Sequence, residues 1–503
     1  MLLMLPAGCS RKRSQDVLFH AINTQPFSSL DPAVEQSDGV NILQNVYETL
    51  TVYDSMNGQV KPCLAESWSS NATRTVWTFN LRRDVIFHDG NALTAAAVKK
   101  SIDRVMFLGK GASYIWDCVS SLEAQSSHTI IFRLNYAADL PLIASSNSAT
   151  YILSPAAASK DESWFNEGHD AGSGPYRIAA VSKSSVTLEA FEGYRNGWQK
   201  RRFKKVFIEE VPAMERRSAY MSKAAADIVF FPDSRMLSSL DSYTAAESKT
   251  WQSLVMMFNT EKEPCTSEDF RKALAYAFPS EQAVEQIMSG RASYAWGMVP
   301  SGFLSHDESL PAYRCDLDAA RTHLERSAQN GGTLTLTYHD GSPEISEMLR
   351  LYQQNLETLG INLILMKLNR DEQLKMARNP DPKDRQDILL MNWWPDNADP
   401  TGTFTLLLSD QGLDKGFNFS YLHDPEIMLA LQVASIQALE NKQEAAKIYW
   451  NLQQKVFNRC YLVFLYHSDL SFAVKKGISG VSINPAYANC IYYYDLRYDP
   501  ATR

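Results

Sequence analysis

Between residues 333 and 391 the sequence reads strand, helix, strand, helix, strand, and few folds accommodate that order. Residues 333–338 alternate β-branched and apolar side chains. The 343–359 stretch places Ile345, Met348, Leu349, Tyr352, Leu356 and Leu359 on one helical face. Ser342 stands ahead of it as the cap, Pro343 fits its first turn and Gly360 ends it. Further strands follow at 361–368 and 387–391. Strands that alternate with helices pair in parallel through right-handed crossovers, so the loops at 339–341 and 395–400 open on one edge of a sheet. Ligands of open α/β sheets bind along that edge.

The second loop carries the chemistry. It reads Trp393-Trp394-Pro395-Asp396-Asn397-Ala398-Asp399-Pro400. A carboxylate beside indole rings suits a cation such as an amino group, because partial desolvation strengthens the charge contact and the ring faces add cation–π attraction. The plainer alternative is a polar turn that starts a helix, and Asp399, ahead of Pro400 and Thr401, fits that part of it. Trp393 and Trp394 alternate at a strand end, so one faces the site and the other the core. Tyr421, Tyr294 and Trp296 lie in loops that can line the same cleft.

A chain of 503 residues exceeds one ordinary core, and two or three domains are expected. Apolar content of 45% and charged content of 21% describe a folded, soluble body. A formal charge of −8 and a pI near 5.7 argue against a nucleic-acid partner. No stretch reaches the ~20 apolar residues of a spanning helix. There is no G-x-S-x-G or H-E-x-x-H, and the nine histidines lack metal-ligand spacing, so neither an enzyme nor a bound cofactor or metal is expected. Apart from Cys9, six scattered cysteines form no C-x-x-C pair; disulfides and buried free thiols both remain open.

Upstream, a strand begins at Val17 and a helical stretch holds Ile42, Val46, Tyr47 and Leu50. The 76–81 strand, a helix capped by Thr94 and a strand at 129–134 make a small subdomain. Gly172-Ser173-Gly174-Pro175-Tyr176 opens two more strands. Residues 253–259 form another strand, and Thr266 with Asp269 suggests a capping box. A long helix at 426–457, broken around 440–443, precedes closing strands near 462–466 and 470–474.

Several of these segments together resemble the family-5 extracellular solute-binding proteins of bacterial ABC importers. They are Leu64-Ala65-Glu66-Ser67-Trp68, the run from Trp77 to Gly90, Leu93-Thr94-Ala95, the Gly172–Tyr176 mark, Phe258-Asn259-Thr260, the 270–277 helix and the tryptophan–aspartate loop. The resemblance implies an α/β, two-lobed periplasmic-binding-protein fold with an extra subdomain, mixed sheets flanked by helices and a cleft between the lobes. Its expected parts are a leader and leash at 1–16, a first lobe at 17–255 with a subdomain inserted at about 48–168, a second lobe at 256–468, and a return to the first lobe at 469–503. It further implies an extracytoplasmic, non-enzymatic peptide receptor, monomeric, that delivers its ligand to a membrane permease. Asp396 takes the role of anchor for the peptide's α-ammonium, with Trp393, Trp394, Asn397, His339, Tyr421 and Trp296 around the ligand and Phe258 and Asn259 at the hinge. Dipeptide receptors place an arginine where this chain has His339 or Asp340. A neutral imidazole is a poor carboxylate clamp, which points to oligopeptides rather than strictly dipeptides. The rival reading is a non-peptide ligand: a nickel chelate, haem, glutathione or a glycan.

The first ten residues, Met1 to Ser10, resemble the tail of a lipoprotein signal and make Cys9 the expected lipid attachment and membrane anchor. The absence of a basic region and Pro6 within the short apolar run depart from that pattern. Arg11-Lys12-Arg13 suits anionic head groups.

Overall fold

The computed structural model describes residues 14–502, apart from 23–25, 36–38, 146, 231–233, 330–331, 340–341, 415 and 488–489. Cys9 with its leader, and Asp340, therefore lie outside the described residues.

Helix Pro343–Thr358 forms as its pattern demands. Ser342 Oγ accepts the Ile345 N–H at 3.3 Å, and Ile345, Met348, Leu349, Tyr352 and Leu356 are buried. Gly360 leaves the helix at φ +75°, where a Cβ would be strained. The crossovers are parallel as expected: Thr333–Tyr338 pairs with Asn362–Lys367 on one side and with Ile388–Trp393 on the other. Among the described residues no helix is long and apolar enough to cross a membrane.

These strands are one end of a mixed sheet that runs through the molecule. Beyond Ile388–Trp393 come the antiparallel strands Tyr243–Phe258 and Leu462–Lys475, then Ile228–Phe230, Val17–Ile22 and Lys205–Glu210. Two long strands thus serve both lobes, where the sequence suggested shorter separate pieces. Apart from the buried Tyr243, the 243–249 half carries small or polar, largely exposed side chains and no apolar period; it is a strand because it pairs with 469–475. Between Lys249 and Ser253 the register breaks, and Thr250–Gln252 leave the ladder.

The largest core is shared: it joins Leu18, Tyr176 and Val206 to Leu389, Phe404 and Phe464, and smaller clusters lie to either side. The second lobe packs Phe258, Phe270, Leu274, Tyr352 and Leu356 together, with Tyr352 fully buried. The subdomain gathers Phe79, Phe87, Trp116 and Phe132 beneath strands Ala65–Ser70, Val76–Leu81, Val119–Ser126 and Thr129–Leu134 and helix Ala95–Leu108. Thr94 caps that helix, as its sequence suggests. The 268–277 helix starts one position later than expected, on Ser267, and Asp269 instead meets His323 Nδ1 at 2.6 Å. The long helix does break, at Asn441, into Pro425–Glu440 and Lys442–Arg459. The six described cysteines are free thiols.

Candidate functional site

Strand Ile388–Trp393 delivers its last residues toward the part of the chain that carries Tyr114 and Asn147. The loop beyond it is stiffened from within: Asn397 Oδ1 accepts the Asp399 N–H at 2.9 Å, and Asp399 Oδ1 accepts the Thr401 N–H at 2.7 Å, capping helix Pro400–Leu408. Asp396 is thereby held out of the helix, half-buried, with its carboxylate toward the subdomain. There Tyr114 OH donates to both of its oxygens at 3.1 and 2.9 Å, and Asn147 Nδ2 donates to Oδ1 at 2.7 Å. Desolvation by burial outweighs both donors and pushes the Asp396 carboxyl up to about 6. The phenol of Tyr114 is raised well above its ordinary value, by burial first and then by the adjacent carboxylate. A carboxylate in this setting holds a proton or a cationic guest far more firmly than one in open water.

The surroundings point the same way. A family model for bacterial extracellular solute-binding proteins, family 5 Middle, matches residues 59–415. The chain is a family-5 bacterial extracellular solute-binding protein. It is 25% identical over 469 residues to the probable D,D-dipeptide-binding periplasmic protein DdpA of Escherichia coli K12, covering 91% of this chain and 90% of that one. Two solved structures share its two-lobed fold. Against the DppA periplasmic binding protein of Helicobacter pylori in complex with peptide STSA, the TM-score is 0.83 at 21% identity, over 96% of this chain and 98% of that chain. Against the dipeptide-binding protein of Pseudoalteromonas sp. SM9913 in complex with Met-Leu, it is 0.84 at 20% identity, over 96% and 100%.

In this solute-binding protein the other residues singled out from sequence take diverse places. Trp393 is the core-facing indole, 4% exposed and edge-on to Phe417. Trp394 is half-buried, and its Nε1 donates to the Pro485 carbonyl at 3.1 Å. His339 stands at the end of Thr333–Tyr338, its Nδ1 3.1 Å from Gln373 Oε1, beside a small hollow also lined by Leu254, Leu390 and Asn392. Gln373 is buried and donates to the Thr337 and Leu390 carbonyls, so it fixes the imidazole. Trp296 and Tyr294 flank the Arg314 guanidinium, 5.0 and 3.2 Å from their ring centres.

One expectation needs correction. Tyr421 is sealed inside the second lobe: it is 5% exposed, donates to the Ala377 carbonyl at 2.7 Å and accepts from Gln386 Nε2. A left-handed φ of +56° turns its side chain that way. Phe258 and Asn259 are buried at the second-lobe end of their strand, where Asn259 binds the backbone of Gln386 and Asp387. The register of this strand with Leu462–Lys475 breaks upstream, at Thr250–Gln252. The reading from sequence also lacked Tyr114 and Asn147. Asn147 looked like any loop residue, although its Oδ1 caps the Ser148–Thr150 turn by accepting the Ala149 N–H. Tyr114 lies in a short 3-10 turn with no periodicity to mark it. Among the described residues no group of three or more His, Cys, Asp or Glu could hold a metal ion.

Proposed function

We propose that this protein captures peptides outside the cytoplasm and presents them to the permease of an ABC importer. Asp396 is the anchor for the α-ammonium, with Tyr114 and Asn147 completing its surroundings from the opposite wall. The observation that carries this reading is a partly desolvated carboxylate between the lobes, set at the end of a parallel strand. An amino terminus brings both the charge and the donors such a group needs. The names of the relatives, several of them peptide binders, agree. His339 in place of a guanidinium supports longer peptides over strict dipeptides, since the far end of the ligand then goes ungripped. Extended peptides bound mainly through backbone groups are accepted with many side chains. A monomer, lipid-anchored through Cys9, fits this role, and the hinge belongs to Thr250–Gln252.

Calorimetry with tri-alanine and N-acetyl-tri-alanine tests the anchor. Tri-alanine should bind and its acetylated form should bind at least tenfold more weakly; equal affinities would exclude Asp396 as an ammonium site. Native mass spectrometry of the purified protein, followed by denaturation, should release a mixed population of peptides. A single uniform non-peptide mass would exclude the peptide reading itself.

A further inference from the structure

Three contacts outside the anchor converge on one short turn near the C-terminus. Trp394 Nε1 donates to the Pro485 carbonyl at 3.1 Å. Asn484 Nδ2 donates to the Tyr53 carbonyl at 2.7 Å, and Tyr487 OH donates to the Ser145 carbonyl at 2.8 Å. The turn is itself locked, because Asn484 Oδ1 accepts the Ala486 N–H at 3.1 Å and the Asn484 carbonyl accepts the Tyr487 N–H at 3.0 Å.

Trp394 stands apart from the other two partners, Ser145 and Tyr53, which both lie in the inserted subdomain. Trp394 is in the anchor loop of the second lobe. Ser145 is in the same segment as Asn147, which forms the opposite wall. Tyr53 is in strand Thr51–Asp54, and its ring packs 5.5 Å from that of Trp251. Trp251 occupies the register break where the long strands cross, and on its other side meets Phe303 of the second lobe at 4.8 Å. Anchor loop, wall and crossing are thus tied to one rigid turn.

We propose that the turn at 484–487 is a closure strap, fastened by Trp394 when the lobes meet. Trp394 is then a positioning residue: its indole N–H holds the strap, and through the strap the Asn147 wall is kept against Asp396. Closure must reverse to release a ligand, and single neutral hydrogen bonds of modest net strength suit a reversible fastening. The inference rests on the two-lobed fold and does not require the ligand to be a peptide.

The test needs no ligand. Trp394→Phe keeps the ring and removes the N–H; Asn484→Asp keeps the acceptor for Ala486 and removes the donor to Tyr53. Hydrogen exchange of the full chain, read by mass spectrometry, should speed up together at 140–153, 391–399 and 484–487 in either variant. The increase should be roughly three- to tenfold, the scale of one such bond, and the radius of gyration should grow. The double variant should add little to either single one, because both open the same strap. Faster exchange at 391–399 alone in Trp394→Phe, or fully additive effects in the double variant, would overturn the proposal.

Discussion

A carboxylate that must welcome a charged guest works best where water is scarce, and Asp396 stands in such a place. Its raised pKa has a definite sign. This arrangement holds the proton more tightly than an exposed aspartate, whose ordinary value is about 3.9. Protonation therefore favours this arrangement fully below about pH 4, and that contribution is lost as pH rises through about 6. On the proposed reading an ammonium replaces the proton, so peptide binding near pH 6 should release roughly half a proton from this site. Calorimetry in buffers of different ionisation enthalpy reads that number directly. Asp396→Asn should abolish the buffer dependence and weaken peptide binding by roughly 2–5 kcal/mol, since it deprives a desolvated ammonium of its partner. Unchanged proton release in the variant would assign the titration elsewhere. The strand, loop and cap around Asp396 were legible in the sequence because they are contiguous: strand, indoles, loop and cap follow one another. Tyr114 and Asn147 were not, because they reach it from a separate subdomain, and nothing local to either residue records that approach.

At the scale of elements, legibility followed the strength of the local signal. The 343–358 helix has a cap, a proline and a full apolar face, and it stands where its pattern put it. Of the two long strands, Tyr243–Phe258 is legible only in its apolar half, because 243–249 is specified by its partner, and Leu462–Lys475 reads as two pieces split at the polar 467–469. The Gly172–Tyr176 segment shows a third case, where the residue type is dictated by a neighbour distant in sequence. A Cβ at Gly172 would stand 1.9 Å from the Val46 carbonyl oxygen, and one at Gly174 2.8 Å from that of Asn45. The close approach lets the Gly174 N–H donate to the Val46 carbonyl at 2.9 Å, closing the end of helix Val40–Val46. Gly172→Ala should therefore cost roughly 1–3 kcal/mol or more in urea denaturation, the scale of an overpacked core. Gly402, inside helix Pro400–Leu408, has open space where a Cβ would go. Gly402→Ala should have the opposite sign and stabilise by up to ~1 kcal/mol through helix propensity. Equal effects at the two sites would mean that neither neighbourhood is as described.

For the whole molecule, the question is what sets the subdomain at the correct distance from Asp396. One buried ion pair ties the subdomain helix to the loop that leads to the site wall. Arg104, on the subdomain helix, binds Asp31 with both ends of its guanidinium, Nη1 to Oδ1 at 2.7 Å, and also donates to the Lys160 carbonyl at 3.0 Å. Asp31 is fully buried and Arg104 nearly so. The loop that holds Asp31 continues to Glu35, whose carboxylate takes the N–H groups of Ser28 and Ser29 and whose carbonyl takes the Ser148 hydroxyl, next to Asn147. Helix, loop and site wall are thus one connected piece. Removing one member of a desolvated pair leaves the other charge unpaired, so Arg104→Ala should destabilise by roughly 3–5 kcal/mol. Arg104→Lys should recover little, because an ammonium cannot reproduce the two-pronged geometry. Both variants should also weaken peptide binding at temperatures where they remain folded, although Asp396 is untouched, because Asn147 loses its register. Circular dichroism melts paired with calorimetry at low temperature separate the two effects. A destabilised variant that binds tri-alanine with unchanged affinity would show that the wall is placed by something other than this pair.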